Sequence, residues 1–253
     1  MAEQKLFSMA HEVNYYECDP SGRISLSSLI ALMILASEKQ NKTLGVDEDI
    51  TRSLGGGWVI IDYEAHFDQP LPRDKEQIDL QTKLLGYNKF FAVRQLLVRN
   101  AQGELIGSVN GLFIYMDLQK RKMARIPEEI MAPYELDAVL KLPKVQRPDH
   151  VEWEADWNGH EYRVRYFDID INGHVNNARY FDWMLDTLNH QFLLNHQIVD
   201  FRMNYEHEVR PETTVVSYSS QPVENADHQL VTQHKIFVGE DECAAATITW
   251  RKC

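Results

Sequence analysis

Hydrophobic and polar positions along this chain fall into the same order twice. Each half opens on an alternating or aromatic stretch suited to a strand, passes through an Asp- and Gly-containing turn, and enters a run with helical spacing. Segments rich in Val, Ile, Phe and Tyr follow. In the first half they are WVIIDYEAHF, EQIDLQTKLL, FFAVRQLLVRN and IGSVNGLFIYMD; in the second, IVDFRMNY, TTVVSYSSQPV, HQLVTQHKIFV and CAAATITWRK. Turn signals such as Asn100-Ala101-Gln102-Gly103 and Gly239-Glu240-Asp241 separate them. Consecutive strands joined by short turns predict antiparallel pairing, and each half therefore reads as an α+β unit in which a sheet wraps one long helix.

The two helical runs differ in character. Leu29 to Ala36 reads LIALMILA, apolar all the way round, which predicts a helix buried on every side or lining an apolar cavity. Ala178, Phe181, Met184, Leu185, Leu188 and Phe192 recur at spacings of three and four, which predicts one half-exposed helix.

The duplication is also visible residue by residue. VNYYECDPSGRISLSSLIALM begins at Val13 and VRYFDIDINGHVNNARYFDWML at Val164, so residue n pairs with residue n + 151. Where the second copy has Asn172 and His174, the first has Ser21 and Arg23. Between the halves, PYELDAVLKLPKVQRPDHVEWEADW carries Pro133, Pro143 and Pro148 without sustained periodicity. It predicts a linker over 136–152, flanked by domains over 1–135 and 153–253.

Composition narrows the functional classes. The 253 residues are 44% hydrophobic and 25% charged, with a net charge of −12, which argues against a nucleic-acid or anionic-membrane surface spread over the whole protein. No apolar run approaches the length needed to span a bilayer, and MAEQKLFSMAHEV lacks the apolar core of a secretory signal, so a soluble cytoplasmic protein is expected. Cys18, Cys243 and Cys253 form no C-x-x-C spacing and read as structural thiols. Lys120, Arg121, Lys122 and Arg125 form the densest basic cluster, either a solvated turn or a dock for an acidic partner.

Candidate chemistry centres on Asp168-Ile169-Asp170-Ile171-Asn172-Gly173-His174. The opening resembles a calcium loop, but Arg179 stands at the twelfth position, where a bidentate Glu is required. His174 has no His or Cys three or four residues away, so no metal is expected. Gly-x-Ser-x-Gly, phosphate-loop and dinucleotide motifs are absent as well. A D-x-N-x-H turn before a helix instead brings a carboxylate, an amide and an imidazole to one pocket edge. Helix amides starting near Val175 to Asn177 would add donors for a developing oxyanion, and carbonyl chemistry fits that set.

DIDINGHVNNARYFDWMLD resembles the signature of acyl-acyl carrier protein thioesterases, and NYEHEVRPET places Glu208 34 residues after His174, where that family carries a glutamate. The resemblance implies a tandem double hotdog, each half a long helix wrapped by an antiparallel sheet. It places Asp170, Asn172, His174 and Glu208 on catalytic positions. It implies hydrolysis of a fatty acyl thioester on acyl carrier protein, without cofactor, releasing free fatty acid. Plant members often have cysteine where this chain has Val209, so water attack is expected rather than a covalent route. Strand alternation puts Glu206 on the face of Glu208, and the spacing favours Glu208; the division of labour between Glu208 and His174 stays open.

The first copy carries Gln69 and Pro70 in place of the Glu208 segment. It should therefore be inactive, and the resemblance implies that it holds the acyl chain, in agreement with the apolar run that carries Leu29, Leu32, Met33 and Ala36; Val175 and Asn176 are expected to line the substrate near the site. The alternatives are an acyl-coenzyme A thioesterase of the hotdog class and a non-catalytic lipid-binding hotdog protein. Hotdog units pair, so the chain is expected as a monomer with intrachain pairing or as a homodimer.

Overall fold

The computed structural model describes residues 5–154, 156–171 and 173–253. The first half runs β1 (Phe7–Glu12), α1 (Leu26–Thr43), α2 (Glu48–Ser53), β2 (Gly56–Phe67), β3 (Gln77–Tyr87), β4 (Phe91–Asn100), β5 (Leu105–Asp117), β6 (Lys122–Met123) and α3 (Glu128–Met131). The second runs β7 (Asn158–Arg163), α4 (Arg179–Leu185), α5 (His190–Asn195), β8 (His196–Tyr205), β9 (Thr214–Ser219), β10 (Val223–Glu224), β11 (Leu230–Val238) and β12 (Asp241–Lys252). All pairings are antiparallel, in the order β1-β3-β4-β5-β2-β8-β12-β11-β9-β7. One tandem hotdog sheet thus passes through both halves.

The halves meet where β2 pairs with β8, from Asp62 opposite Asn204 to His66 opposite Asp200. On the inner face Phe67 lies tilted against Phe201 and Tyr63 edge-on to Tyr205, at centroid distances of 6.3 and 6.2 Å. A buried polar contact fixes the register, since Asn204 Nδ2 donates to Asp62 Oδ1 at 2.6 Å. The segment after α3 crosses the outer face of this seam. Its Gln146 amide donates to Glu64 Oε2 at 3.0 Å, and Asp149 takes two hydrogen bonds from Arg202 at 2.8 and 3.0 Å.

Ser25 caps α1 by accepting from the Ser28 amide, and Gly45, at φ 72°, lets the chain leave it. Leu26, Leu29, Ile30, Met33, Ser37 and Gln40 form its buried row. Ala31 and Leu35 on the opposite side are exposed, Leu35 at 39%. The all-apolar run is therefore buried on one face rather than on every side. Two surface pockets, of about 420 and 690 Å³, lie on the outer side of the seam and beneath the 142–147 segment, and neither is lined by α1.

The second helical run also departs from its periodicity. It divides into seven-residue α4 and six-residue α5. Thr187 Oγ1 donates to Met184 O at 2.6 Å, and Asn189 Oδ1 accepts from the Gln191 amide at 2.8 Å, so one side chain ends a helix and another starts the next. Phe181 and Met184 of α4 and Leu188 of the connection are still buried, and Phe192 and Leu193 of α5 pack half-buried against the same core.

Candidate active site

Residues 165–171 and 173–178 belong to a loop before α4. Tyr166–Asp168 forms a single 3-10 turn. The Asp170 amide donates to His174 O at 2.8 Å, the Gly173 amide to Asp170 O at 3.0 Å, and the Asn176 amide to Asp168 O at 2.9 Å. Gly173 has φ 79°, a conformation that favours glycine. Asp168 is 1% exposed and takes hydrogen bonds from the Arg165 amide and guanidinium at 2.9, 3.1 and 2.7 Å. Burial alone would raise its pKa, but these bonds and the charges of Arg165 and Arg179 hold it below the usual carboxylate range.

His174 projects from this loop toward the segment after β8. Its Nε2 lies 3.0 Å from Glu208 Oε1, the two side chains being 43% and 32% exposed. The other carboxylate oxygen, Oε2, is paired with Arg121 Nη2, which comes from the β5–β6 hairpin of the first half. An imidazole beside a carboxylate, both partly open to solvent, can activate water and pass a proton onward. Among the described residues no cluster of three His, Cys, Asp or Glu side chains could hold a metal.

Two family models match the chain, the acyl-ACP thioesterase N-terminal domain over residues 4–134 and its C-terminal domain over 152–252. The chain belongs to the acyl-ACP thioesterase family. It is 38% identical to a solved structure from Lactobacillus plantarum, described provisionally as an oleoyl thioesterase, at a TM-score of 0.95 over 99% of this chain and 98% of that one. A 12:0-ACP thioesterase from Umbellularia californica shares the fold at a TM-score of 0.84 and 22% identity, covering 98% and 94% of the two chains. A chloroplastic dodecanoyl-[acyl-carrier-protein] hydrolase from Cinnamomum camphora is 29% identical over 162 residues, 61% of this chain. That match spans 42% of the relative's own length.

Within this acyl-ACP thioesterase fold, the first copy keeps the loop and lacks the pair. Asp19 N donates to Arg23 O, Gly22 N to Asp19 O and Ser25 N to Glu17 O, each at 2.9 Å, reproducing the second-copy bonds at positions 151 residues earlier. Arg23, in the place of His174, donates to the Leu71 carbonyl at 2.7 Å. A cation and a backbone oxygen thus stand where the second copy sets imidazole against carboxylate.

The remaining expected site residues distribute as follows. Asp170 lies in the loop turn, and its charge, after burial and Glu48, contributes to raising the Glu38 pKa on α1. Asn172 lies outside the described residues. Val175 is buried, and Asn176 Oδ1 accepts from the Ala178 amide at 3.0 Å, so its side chain is engaged in the turn that leads into α4. Helix α4 begins only at Arg179, and the amides of Asn176, Ala178 and Arg179 are already bonded within the loop. They are not spare donors for an oxyanion.

Glu206 and His207 are both exposed, and their amides share the Cys243 carbonyl at 2.9 and 3.2 Å. Val209 is fully buried, its amide donating to the Tyr180 hydroxyl at 3.2 Å. Leu29, Met33 and Ala36 are at most 1% exposed between α1 and the sheet, with Leu32 half-buried beside them. Lys120, Lys122 and Arg125 lie exposed on or just after the hairpin that carries Arg121.

Sequence reasoning missed the floor of the site. Asn177 Nδ2 donates to the Tyr63 hydroxyl at 3.1 Å, and the Tyr205 hydroxyl donates to Asn177 O at 2.9 Å. The loop is thereby tied to both seam strands. Burial pushes both phenols upward, so they remain neutral hydrogen-bonding groups. Asn177 stood beside the predicted positions, whereas Tyr63 and Tyr205 carry a signal only through strand alternation.

Proposed function

We propose that this protein hydrolyses fatty acyl thioesters carried on acyl carrier protein, releasing free fatty acid. The observation that carries this reading is the 3.0 Å contact of His174 with Glu208, present in one copy of a duplicated loop and replaced in the other. Family membership across both halves supports it.

In the proposed reaction a water oxygen bonds to the thioester carbonyl carbon while its proton passes to Glu208. The tetrahedral intermediate then collapses, the C–S bond breaks, and the proton is delivered through His174 to the departing thiolate. Asp170 and Asn172 orient the reacting groups. Val209 offers no nucleophile. The acyl chain lies in the 1–135 half against Leu29, Leu32, Met33 and Ala36, with Val175 and Asn176 at its entrance. Residues 153–253 carry the chemistry, joined through 136–152.

Lys120, Lys122 and Arg125 face the acidic carrier. No helix among the described residues is long and apolar enough to cross a membrane, and the cytoplasmic setting belongs to the same proposal. The β2–β8 pairing supports a monomer. Glu208→Gln should abolish most turnover; full turnover removes Glu208 from the reaction. Comparing one acyl group on carrier protein and on coenzyme A decides the carrier, and preference for coenzyme A would overturn that part.

A further inference from the structure

The half without the catalytic pair nevertheless reaches into the site. Arg121 stands at the tip of the β5–β6 hairpin with φ 51°, a left-handed conformation uncommon for a residue other than glycine. The tip is closely specified. Asp117 Oδ1 accepts from the amides of Gln119 and Lys120 at 3.0 and 2.8 Å, and the Arg121 amide donates to Asp117 O at 2.8 Å. Lys120 Nζ turns back to Asp117 Oδ2 at 3.1 Å, so of these two neighbouring cations it is Arg121 that extends to Glu208.

We propose that Arg121 is a positioning residue that sets the Glu208 carboxylate from the opposite half, an inference that rests on Glu208 acting in hydrolysis. A carboxylate on a surface segment rotates about its terminal bonds. Arg121 engages Oε2, and Oε1 is thereby kept against His174 Nε2 at 3.0 Å. An exposed arginine–carboxylate pair adds little to stability by itself. Its effect here is geometric, because a planar guanidinium fixes both the direction and the plane of its partner. The first-copy loop has no such arrangement, since Arg23 ends on a backbone carbonyl. The basic hairpin is therefore divided, with Arg121 serving the reaction and its neighbours facing the carrier.

The test is steady-state kinetics on one acyl-carrier thioester for Arg121→Gln, Arg121→Lys, Glu208→Gln and the double variant Arg121→Gln/Glu208→Gln. Arg121→Gln should lower kcat about 10- to 100-fold while KM stays within about twofold, because misorientation of a reacting group acts on the chemical step. Arg121→Lys should recover part of the loss, and Arg121→Gln should cost nothing further in the Glu208→Gln background. Melting curves that overlay the parent exclude a folding defect. Unchanged kcat, a rise in KM alone, or losses that multiply in the double variant would overturn the inference. Full activity of Glu208→Gln removes the base assignment and this inference together; an inactive Glu208→Gln beside a normal Arg121→Gln removes only the latter.

Discussion

Two carboxylates, Asp168 before α4 and Glu208 after β8, illustrate how environment assigns roles. Asp168 is buried under Arg165, whereas Glu208 is partly open to solvent beside His174 and Arg121. The depressed Asp168 pKa means that its contribution to stability is complete above the ordinary carboxylate value of about 3.9 and is lost as pH falls through the lower folded value. Asp168→Asn should cost about 1.5 to 3 kcal/mol at neutral pH, the range for hydrogen bonds to charged groups, and should flatten the acid side of the stability profile. Thermal melts at stepped pH check both. His174 was legible in the sequence because the first copy carries Arg23 in its place, and Glu208 because it follows His174 by 34 residues, as the family resemblance requires. Arg121 was legible only as a basic residue, since it lies 87 residues from Glu208 and meets it through the pairing of the halves.

Among elements, α1 separates most clearly from its counterpart. Both copies keep the preceding loop, but α1 runs 18 residues, whereas α4 stops after seven. Turns and strands were readable from the sequence because glycine, asparagine and alternation impose local geometry. The break before α5 was not, because Thr187 and Asn189 sit on helical spacing and their backbone hydrogen bonds compete with it only once the chain is folded. Filling of the layer beneath α1 by Leu29, Met33 and Ala36 bears on the proposed acyl site. Met33→Ala should destabilise the protein by about 2 to 5 kcal/mol and shift the product profile toward longer chains. A Met33→Trp variant, overpacked by about 1 to 3 kcal/mol, should shift it toward shorter ones. Products released from a panel of acyl-carrier substrates, alongside melting curves, measure both; an unchanged profile in each variant would place the chain elsewhere.

Across the whole molecule the seam is the element on which both halves depend. His66 Nδ1 lies 2.6 Å from Asp200 Oδ1 across it, and Nε2 lies 3.2 Å from Asp68. The hydrogen bond to Asp200 raises the His66 pKa against the opposing effect of burial, with the Asp200 and Asp68 charges adding to it. A raised folded value means that this contribution is fully present below the ordinary histidine value of about 6.5 and is lost as pH climbs through the folded one. The melting temperature of the parent should therefore fall relative to His66→Gln as pH rises from about 6 to 8, and parallel curves would show that the pair contributes nothing.

The β2–β8 junction has a consequence for descent as well as stability. In a symmetric homodimer every substitution appears at both sites, so a bulkier pocket wall on one side also alters the other. Joining the two halves in one polypeptide removes that constraint. Arg23 and His174 can then diverge at equivalent positions, and an inherited change in α1 reaches the pocket without a twin in α4.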